Sequence, residues 1–302
     1  MPLYLPPLSR RQFLARSLAA GTGLLLSQRL LAAARDADPH MWALISDPHI
    51  AADRAKLGRN INMAAQLTAV VDDVLSVPRR PAGALVNGDL AFNTGETADY
   101  ATFAELIQPL RAAQIPLHLG LGNHDHRERF WAALREDASV KRPLADRQAA
   151  VIRTERANWF LLDSLDKPNS VPGRLGEAQL AWLTRALDAN ADKPALVMVH
   201  HNPRVAADKI TLIDEDAFYA IIRPRRQVKA YLFGHSHRWN VGKDPSGIHL
   251  INLPTTAYVF EAGRPAGWVL AQLEPRGLNL QFRGLDPKRA EHLQAVALTY
   301  RT

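Results

Sequence analysis

The sequence contains no cysteine. Disulfide frameworks, thiolate zinc sites, iron–sulfur clusters, thiol nucleophiles and cysteine lipidation are therefore excluded. Any metal bound here must be held by imidazole, carboxylate or amide oxygen. Acidic residues are missing from positions 1–34, which hold Arg10, Arg11, Arg16 and Arg29. Those four account for much of the formal charge of +7; without them 33 basic residues face 30 acidic ones. So balanced a remainder offers no electrostatic footprint for DNA or RNA. Internal repeats and low-complexity linkers are also absent beyond residue 34. With 302 residues, 47% hydrophobic and 22% charged, the composition is that of an ordinary globular protein, not a collagen-like or disordered one.

The N-terminal segment reads as an address. Ser9-Arg10-Arg11-Gln12-Phe13-Leu14 precedes a mild apolar stretch, Ser17–Leu26, then Arg29 and the small tract Ala32-Ala33-Ala34. Basic, apolar and small-residue parts in that order make a secretory signal. The paired arginines followed by Phe-Leu resemble the twin-arginine export motif. A membrane anchor fits worse, because the uncharged run 17–28 has 12 residues and about 20 are needed to cross a bilayer. The expectation is handling by the twin-arginine export machinery, cleavage near Ala34 and a periplasmic protein. No membrane or nucleic-acid partner is expected. The remainder, 35–302, is expected to be one domain with a core over 41–240 and C-terminal strands over 245–285.

Short apolar runs alternate with helical spacing along most of the chain. Strands are predicted at Met41–Ile45, Ala82–Asn87, Ile115–Leu119, Gln148–Thr154, Trp159–Leu162, Ala195–Val199 and Lys229–Phe233. Helices are predicted at Ile61–Leu75, Asp99–Ala112, Arg127–Leu134, Glu177–Ala189 and Glu215–Ile222. After Trp239 the pattern changes to strands alone, at Ile248–Leu253, Gly267–Leu273 and Leu278–Arg283. Alternating elements followed by a run of strands indicate a layered α/β fold with sheets inside and helices outside.

Five of those strands end in polar residues. The series is Asp47-Pro48-His49, Gly88-Asp89, Gly122-Asn123-His124-Asp125, His200-His201 and Gly234-His235-Ser236-His237. Carboxyl ends of strands in open α/β sheets form the rim where ligands bind. Asp-x-His and His-x-His each place two donors on one side of an extended loop. Imidazole, carboxylate and amide donors suit zinc, manganese, iron or similar ions, and a carboxylate can bridge two of them. Seven candidate donors exceed a tetrahedral site and suit two ions sharing a bridge. Two ions about 3.5–4 Å apart can activate water and hold the attacking and leaving oxygens of a displacement at phosphorus. Gly-Asp alone is nearly uninformative; Gly-Asn-His-Asp would arise by chance at about one position in 10⁵.

The ordered series resembles the calcineurin-like metallophosphoesterase superfamily over residues 41–240. Within it the chain is most similar to the class III cyclic-nucleotide phosphodiesterase group. That similarity rests on Gly88-Asp89-Leu90-Ala91 with Tyr100, on Arg127 after the Gly-Asn-His-Asp motif, on Gly173-Arg174-Leu175 and on Gln179-Leu180-Ala181-Trp182-Leu183. The resemblance implies a four-layer α-β-β-α sandwich of two mixed sheets flanked by helices. It implies that Asp47, His49 and His237 hold one transition-metal ion, that Asn123, His200 and His235 hold another, and that Asp89 bridges them. A metal-bridging hydroxide would be the nucleophile. His124 would act at the leaving group, with Asp125 orienting it; the competing reading of Asp125 is a turn or capping residue at the start of the Arg127 helix. The family often has His-His-Pro-Pro where this chain has His200-His201-Asn202-Pro203, so the substrate-facing loop is expected to differ. His201 is expected to face solvent or substrate, because adjacent strand residues point opposite ways. Arg127 is a candidate phosphate contact, since guanidinium matches phosphate geometry; the competing reading is a solvated helix residue.

The activity implied is hydrolysis of a small phosphoester, with phosphodiesters such as cyclic nucleotides favoured. The alternatives are a phosphomonoesterase with the same metals, a nuclease, and a catalytically silent scaffold. All eight motif residues are present, which counts against the last.

Overall fold

A computed structural model describes residues 3–5, 36–134, 142–204 and 211–302 of the protein. The twin-arginine motif and the small-residue tract lie outside the described residues.

Two mixed sheets carry the fold. The first has seven strands in the order β1-β6-β5-β2-β13-β14-β15. They are β1 (Leu3–Leu5), β2 (Ala37–Ile45), β5 (Arg80–Val86), β6 (Leu117–Leu119), β13 (Gly267–Glu274), β14 (Gly277–Gly284) and β15 (Ala295–Thr299). Strands β2, β5 and β6 run parallel. The second sheet has six strands in the order β11-β12-β10-β9-β8-β7. These are β7 (Ala150–Arg153), β8 (Asn158–Leu162), β9 (Ala195–Val199), β10 (Val228–Phe233), β11 (Asn240–Lys243) and β12 (His249–Asn252). Here β8, β9, β10 and β12 are parallel. A small hairpin pairs β3 (Leu57–Gly58) with β4 (Ile61–Asn62).

Side-chain alternation along the strands sorts the interior into layers. On β2, Trp42 and Leu44 point between the sheets, where they meet Trp159, Leu161 and Val269. Ala43 and Ile45 point the other way, toward helices α1 (Met63–Ser76) and α2 (Thr97–Ala112). On the far side Phe160 and Val197 meet α4 (Glu177–Asp188) and α5 (Glu215–Ile222). Three apolar cores thus separate four layers in the order α-β-β-α, as the resemblance implies. Among the described residues the remaining helix, α3 (Arg127–Ala133), starts just after the Gly-Asn-His-Asp loop.

Local chemistry explains where the elements begin. The Asn62 side chain accepts the Ala65 N–H at 2.9 Å and caps α1. Glu96 and Asp99 form a reciprocal box that opens α2. Gly176, at φ 83°, precedes α4. Asp73 on α1 takes three bonds from the sheet, two from the Arg283 guanidinium at 2.6 and 2.8 Å and one from Trp268 Nε1 at 2.8 Å. It fastens the outer helix to β13 and β14. The sequence reading does not predict strands β1, β3, β4, β11 and β15, and β15 extends the C-terminal strands beyond residue 285.

Candidate metal centre

Strands β2, β5 and β6 of one sheet and β9 and β10 of the other end at the same rim. Backbone bonds lace their loops together: His49 N–H to Asp89 O at 2.9 Å, Gly234 N–H to His200 O at 3.0 Å, Asn87 N–H to Ile45 O at 2.8 Å. The loops lie so close that added carbon atoms would collide. A Cβ on Gly122 would sit 2.2 Å from Asp89 Oδ1, and one on Gly234 would sit 2.2 Å from Ser46 Oγ. Glycine is required there by close approach.

The rim gathers Asp47, His49, Asp89, Asn123, His200, His235 and His237, and every one but His235 is fully or almost fully buried. Three clusters of donors form, each with its atoms within 4.8 Å of one another: Asp47–His49–His237, His49–Asp89–His124 and Asp89–His200–His235. Asp89 belongs to two of them, in the middle of the set. Its Oδ2 lies 3.3 Å from His200 Nε2 and 3.6 Å from His49 Nε2. Its Oδ1 accepts the His124 N–H at 2.8 Å.

The arrangement is unfavourable without cations. Four imidazoles face a backbone carbonyl with Nδ1: His49 with Phe92 O at 3.4 Å, His124 with Asn93 O at 2.8 Å, His200 with Asn87 O at 2.8 Å and His237 with Tyr258 O at 2.5 Å. A carbonyl can only accept, so Nδ1 carries the proton and Nε2 keeps its lone pair in the neutral ring. His49 Nε2 and His237 Nε2 then face each other at 3.0 Å, lone pair against lone pair. The buried Asn123 Oδ1 has no hydrogen-bond partner, and His200 Nε2 has only the Asp89 carboxylate 3.3 Å away. Cations among these atoms would satisfy them all, so the donor set fits metal ions.

The electrostatics agree. Burial lowers His49 and His237 to about 4 and His235 to about 3, which keeps these rings neutral and able to ligate at pH 7. Burial raises Asp47 above the ordinary carboxylate range. Asp89 is also buried, but His200 and His49 outweigh burial and hold it well below that range. Burial alone would depress His200; the Asp89 and Asp47 carboxylates overcome it and lift it to about 10. A proton there stands in for the positive charge that a metal would bring.

Strained backbone recurs at the ligand positions, which supply half of the non-glycine residues with positive φ among those described. Asp47, His49, Asp89, His235 and His237 all have left-handed φ, between 48° and 63°. Such conformations cost energy for residues with a Cβ and cluster at functional sites.

The structure places several residues otherwise than expected. Asp125 does not touch the His124 ring, and His126, not Asp125, precedes α3 as its cap. Its carboxylate accepts from Leu90 N at 3.1 Å, Ala91 N at 3.1 Å, Gly122 N at 2.8 Å and the Tyr100 hydroxyl at 3.2 Å. It therefore ties the Asp89 loop to the Asn123 loop. Burial, with Asp89 nearby, raises it to about 7 despite these donors. What orients His124 is the Asn93 carbonyl. Arg127 is not free for phosphate: it forms a forked pair with the fully buried Asp163, Nε to Oδ2 at 2.6 Å and Nη2 to Oδ1 at 3.0 Å, and also donates to Leu165 O. His201 is fully buried, with Nδ1 at 2.8 Å from Ser164 Oγ and its ring against His200 and His235. The side away from solvent and substrate is open to His201 because Gly173 lacks a side chain there; an added Cβ would meet the His201 ring. Asn202 is buried and bonds the Pro203 carbonyl at 2.6 Å.

Ser46, 2.5 Å from Asp47 Oδ2, and the segment Thr255–Phe260 were missed. Thr255 Oγ1 donates to Asp47 O at 3.1 Å, Tyr258 stacks on His49 and Phe260 stacks on His237. A signal existed: Ile248–Leu253 is an apolar run like the other five. Its parallel pairing with β10 carries the following loop to the same rim.

Comparison with known proteins places this geometry. Residues 42–239 match the calcineurin-like phosphoesterase family. The chain is 30% identical over 237 residues to a 3',5'-cyclic adenosine monophosphate phosphodiesterase, CpdA, of Pseudomonas aeruginosa, covering 76% of this chain and 81% of that one. It is 29% identical over 240 residues to a probable cyclic nucleotide phosphodiesterase of Synechococcus, covering 78% and 88%. Its fold is similar to that of a dimetal phosphatase from Danio rerio, with a TM-score of 0.68, 18% identity and coverage of 87% and 100%. Ligand-type residues converging from five strand ends, and a family match that spans all of them, lead to one conclusion: the chain belongs to the calcineurin-like phosphoesterases and is a metal-dependent hydrolase of phosphoester bonds.

Proposed function

We propose that the protein hydrolyses phosphodiesters, in particular 3',5'-cyclic nucleotides, with two transition-metal ions. Asp47, His49 and His237 would hold one ion and Asn123, His200 and His235 the other, with Asp89 between them. Two such ions would neutralise charge on the phosphate and make water a stronger nucleophile near neutral pH. The chain's own part centres on His124. The Asn93 carbonyl holds its Nδ1 at 2.8 Å, leaving Nε2 as the working nitrogen beside the donor clusters. In the imidazolium form, Nε2–H can pass its proton to the departing alkoxide as one P–O bond breaks and water adds to phosphorus. Asp125 and the Arg127–Asp163 pair keep the ligand loops in register. The observation that carries the cyclic-nucleotide reading is the 30% identity over 237 residues with a cyclic AMP phosphodiesterase.

The test is a comparison of kcat/KM for 3',5'-cyclic AMP, 5'-AMP and p-nitrophenyl phosphate on purified protein reloaded with iron, manganese or zinc. The cyclic diester should exceed both monoesters at least tenfold. A preference for monoesters would make the protein a phosphomonoesterase with the same centre.

Export by the twin-arginine machinery is a second part of this proposal, supported by Ser9–Leu14 and the tract at Ala32–Ala34. Among the described residues no helix is long and apolar enough to cross a membrane. Cleavage near Ala34 would remove β1 and leave β6 as the edge of its sheet. Mass spectrometry of the periplasmic fraction should find a chain starting near Arg35, and replacing Arg10 and Arg11 by lysine should leave the precursor in the cytoplasm. An uncleaved periplasmic or cytoplasmic chain would refute it.

A further inference from the structure

We propose that Phe260 and Arg59 form a stacking platform that takes the planar base of a nucleotide substrate; the inference rests on the nucleotide reading above. The platform is built from two loops. The segment after β12 lays Tyr258 on His49, centroids 5.2 Å apart and planes at 27°, and Phe260 on His237 at 4.1 Å and 18°. The β3–β4 hairpin sits against this segment: a Cβ on Gly58 would lie 2.7 Å from the Tyr258 ring. Arg59, at the hairpin tip with φ 49°, holds its guanidinium 5.1 Å from the Phe260 centroid and 5.9 Å from that of Tyr258.

Two features separate this rim from ordinary packing. Phe260 is 49% exposed although it rests on a residue of the donor set. Arg59 is exposed and makes no ion pair or hydrogen bond with the described residues, whereas Arg238 and Arg264 both pair with Glu261 and pin the loop that carries Phe260. A half-open ring and an unpaired guanidinium side by side, next to where a phosphate would bind, offer a π-face and a cationic plane. Both stack on nucleobases without demanding a particular base. Guanidinium also attracts phosphate, so the test separates base from phosphate.

The experiment measures binding of 5'-AMP and of ribose 5-phosphate to metal-loaded protein by calorimetry, in the wild type and in Phe260→Ala, Phe260→Trp, Arg59→Ala and Arg59→Lys. The wild type should bind 5'-AMP about ten- to a hundredfold more tightly than ribose 5-phosphate, the span that one stacked base contributes. Phe260→Ala and Arg59→Ala should each shrink that ratio several-fold by weakening 5'-AMP alone; Phe260→Trp should restore it, and Arg59→Lys should do so only in part. A wild-type ratio near one, or a ratio unmoved by Phe260→Ala, overturns the platform. Equal weakening of both ligands in Arg59→Ala would make Arg59 a phosphate contact and overturn its share. If the wild type turned over no cyclic nucleotide, the functional reading would fall, and the binding ratio would still decide the platform.

Discussion

Two residues one ångström-scale contact apart are expected to fail in different ways. His124 donates its backbone N–H to Asp89, yet its ring is not needed to complete the set of seven donors. Replacing His124 by alanine should lower kcat by about 10²–10⁴, the usual worth of general acid catalysis. Metal content by elemental analysis should stay as in the wild type. Replacing Asp89 by alanine should instead strip metal, because its Oδ2 lies 3.3 and 3.6 Å from imidazoles carried by the two different sheets. Full metal retention in Asp89→Ala, or unchanged turnover in His124→Ala, would contradict the roles given to them.

Helices and strands bring in contacts that no motif announces. Arg127 looks like a phosphate ligand in sequence because it follows Gly-Asn-His-Asp, but its guanidinium closes on Asp163 at the end of β8. Breaking a buried pair strands the remaining charge, so Arg127→Ala should cost about 3–5 kcal/mol in denaturant unfolding. A raised KM with unaltered stability would restore the phosphate reading. Asp73 makes the corresponding tie between α1 and the first sheet. Burial works against its ionised form, but the bonds from Arg283 and Trp268 prevail and keep its carboxyl below the ordinary value. Its stabilisation is therefore complete above the unfolded-state value near 3.8 and fades as pH falls through the lower folded-state value. Asp73→Asn should lose about 1–2 kcal/mol at pH 7 and show a smaller loss of stability on acidification below pH 4. Most elements were legible because apolar runs and helical spacing are strong local signals; β9 matches its predicted bounds residue for residue, and α5 lies where a helix is expected. The ligand set was legible because each member sits at the end of such a run. Strands β11 and β15 were not, since Asn240–Lys243 and Ala295–Thr299 are edge strands with little buried apolar surface to mark them. The partners of Arg127, Asp125 and His201 depend on chain segments distant in sequence, and spacing carries no information about them.

At the scale of the whole molecule, the rim is a point where both sheets depend on one another. Bound ions would cross-link loops from β2, β5, β6, β9 and β10. Chelation should abolish activity and lower Tm by mass action, about 2.7 kcal/mol for an ion present at a hundred times its Kd. At roughly 2–4 °C per kcal/mol for a chain of this size, that is a shift readable by differential scanning calorimetry and reversed on reloading. The left-handed backbone at Asp47, His49, Asp89, His235 and His237 has a further consequence. In the metal-free protein those residues oppose folding, through their dihedrals and through buried carboxylates held close together. Asp47→Asn relieves both, because asparagine tolerates this backbone and carries no charge. It should make the metal-free chain more resistant to heat than the metal-free wild type, by about 1–3 kcal/mol, while impairing metal retention. Loss of activity and gain of metal-free stability would then come from the same single substitution, so the rim trades sturdiness of the empty protein for its capacity to hold ions.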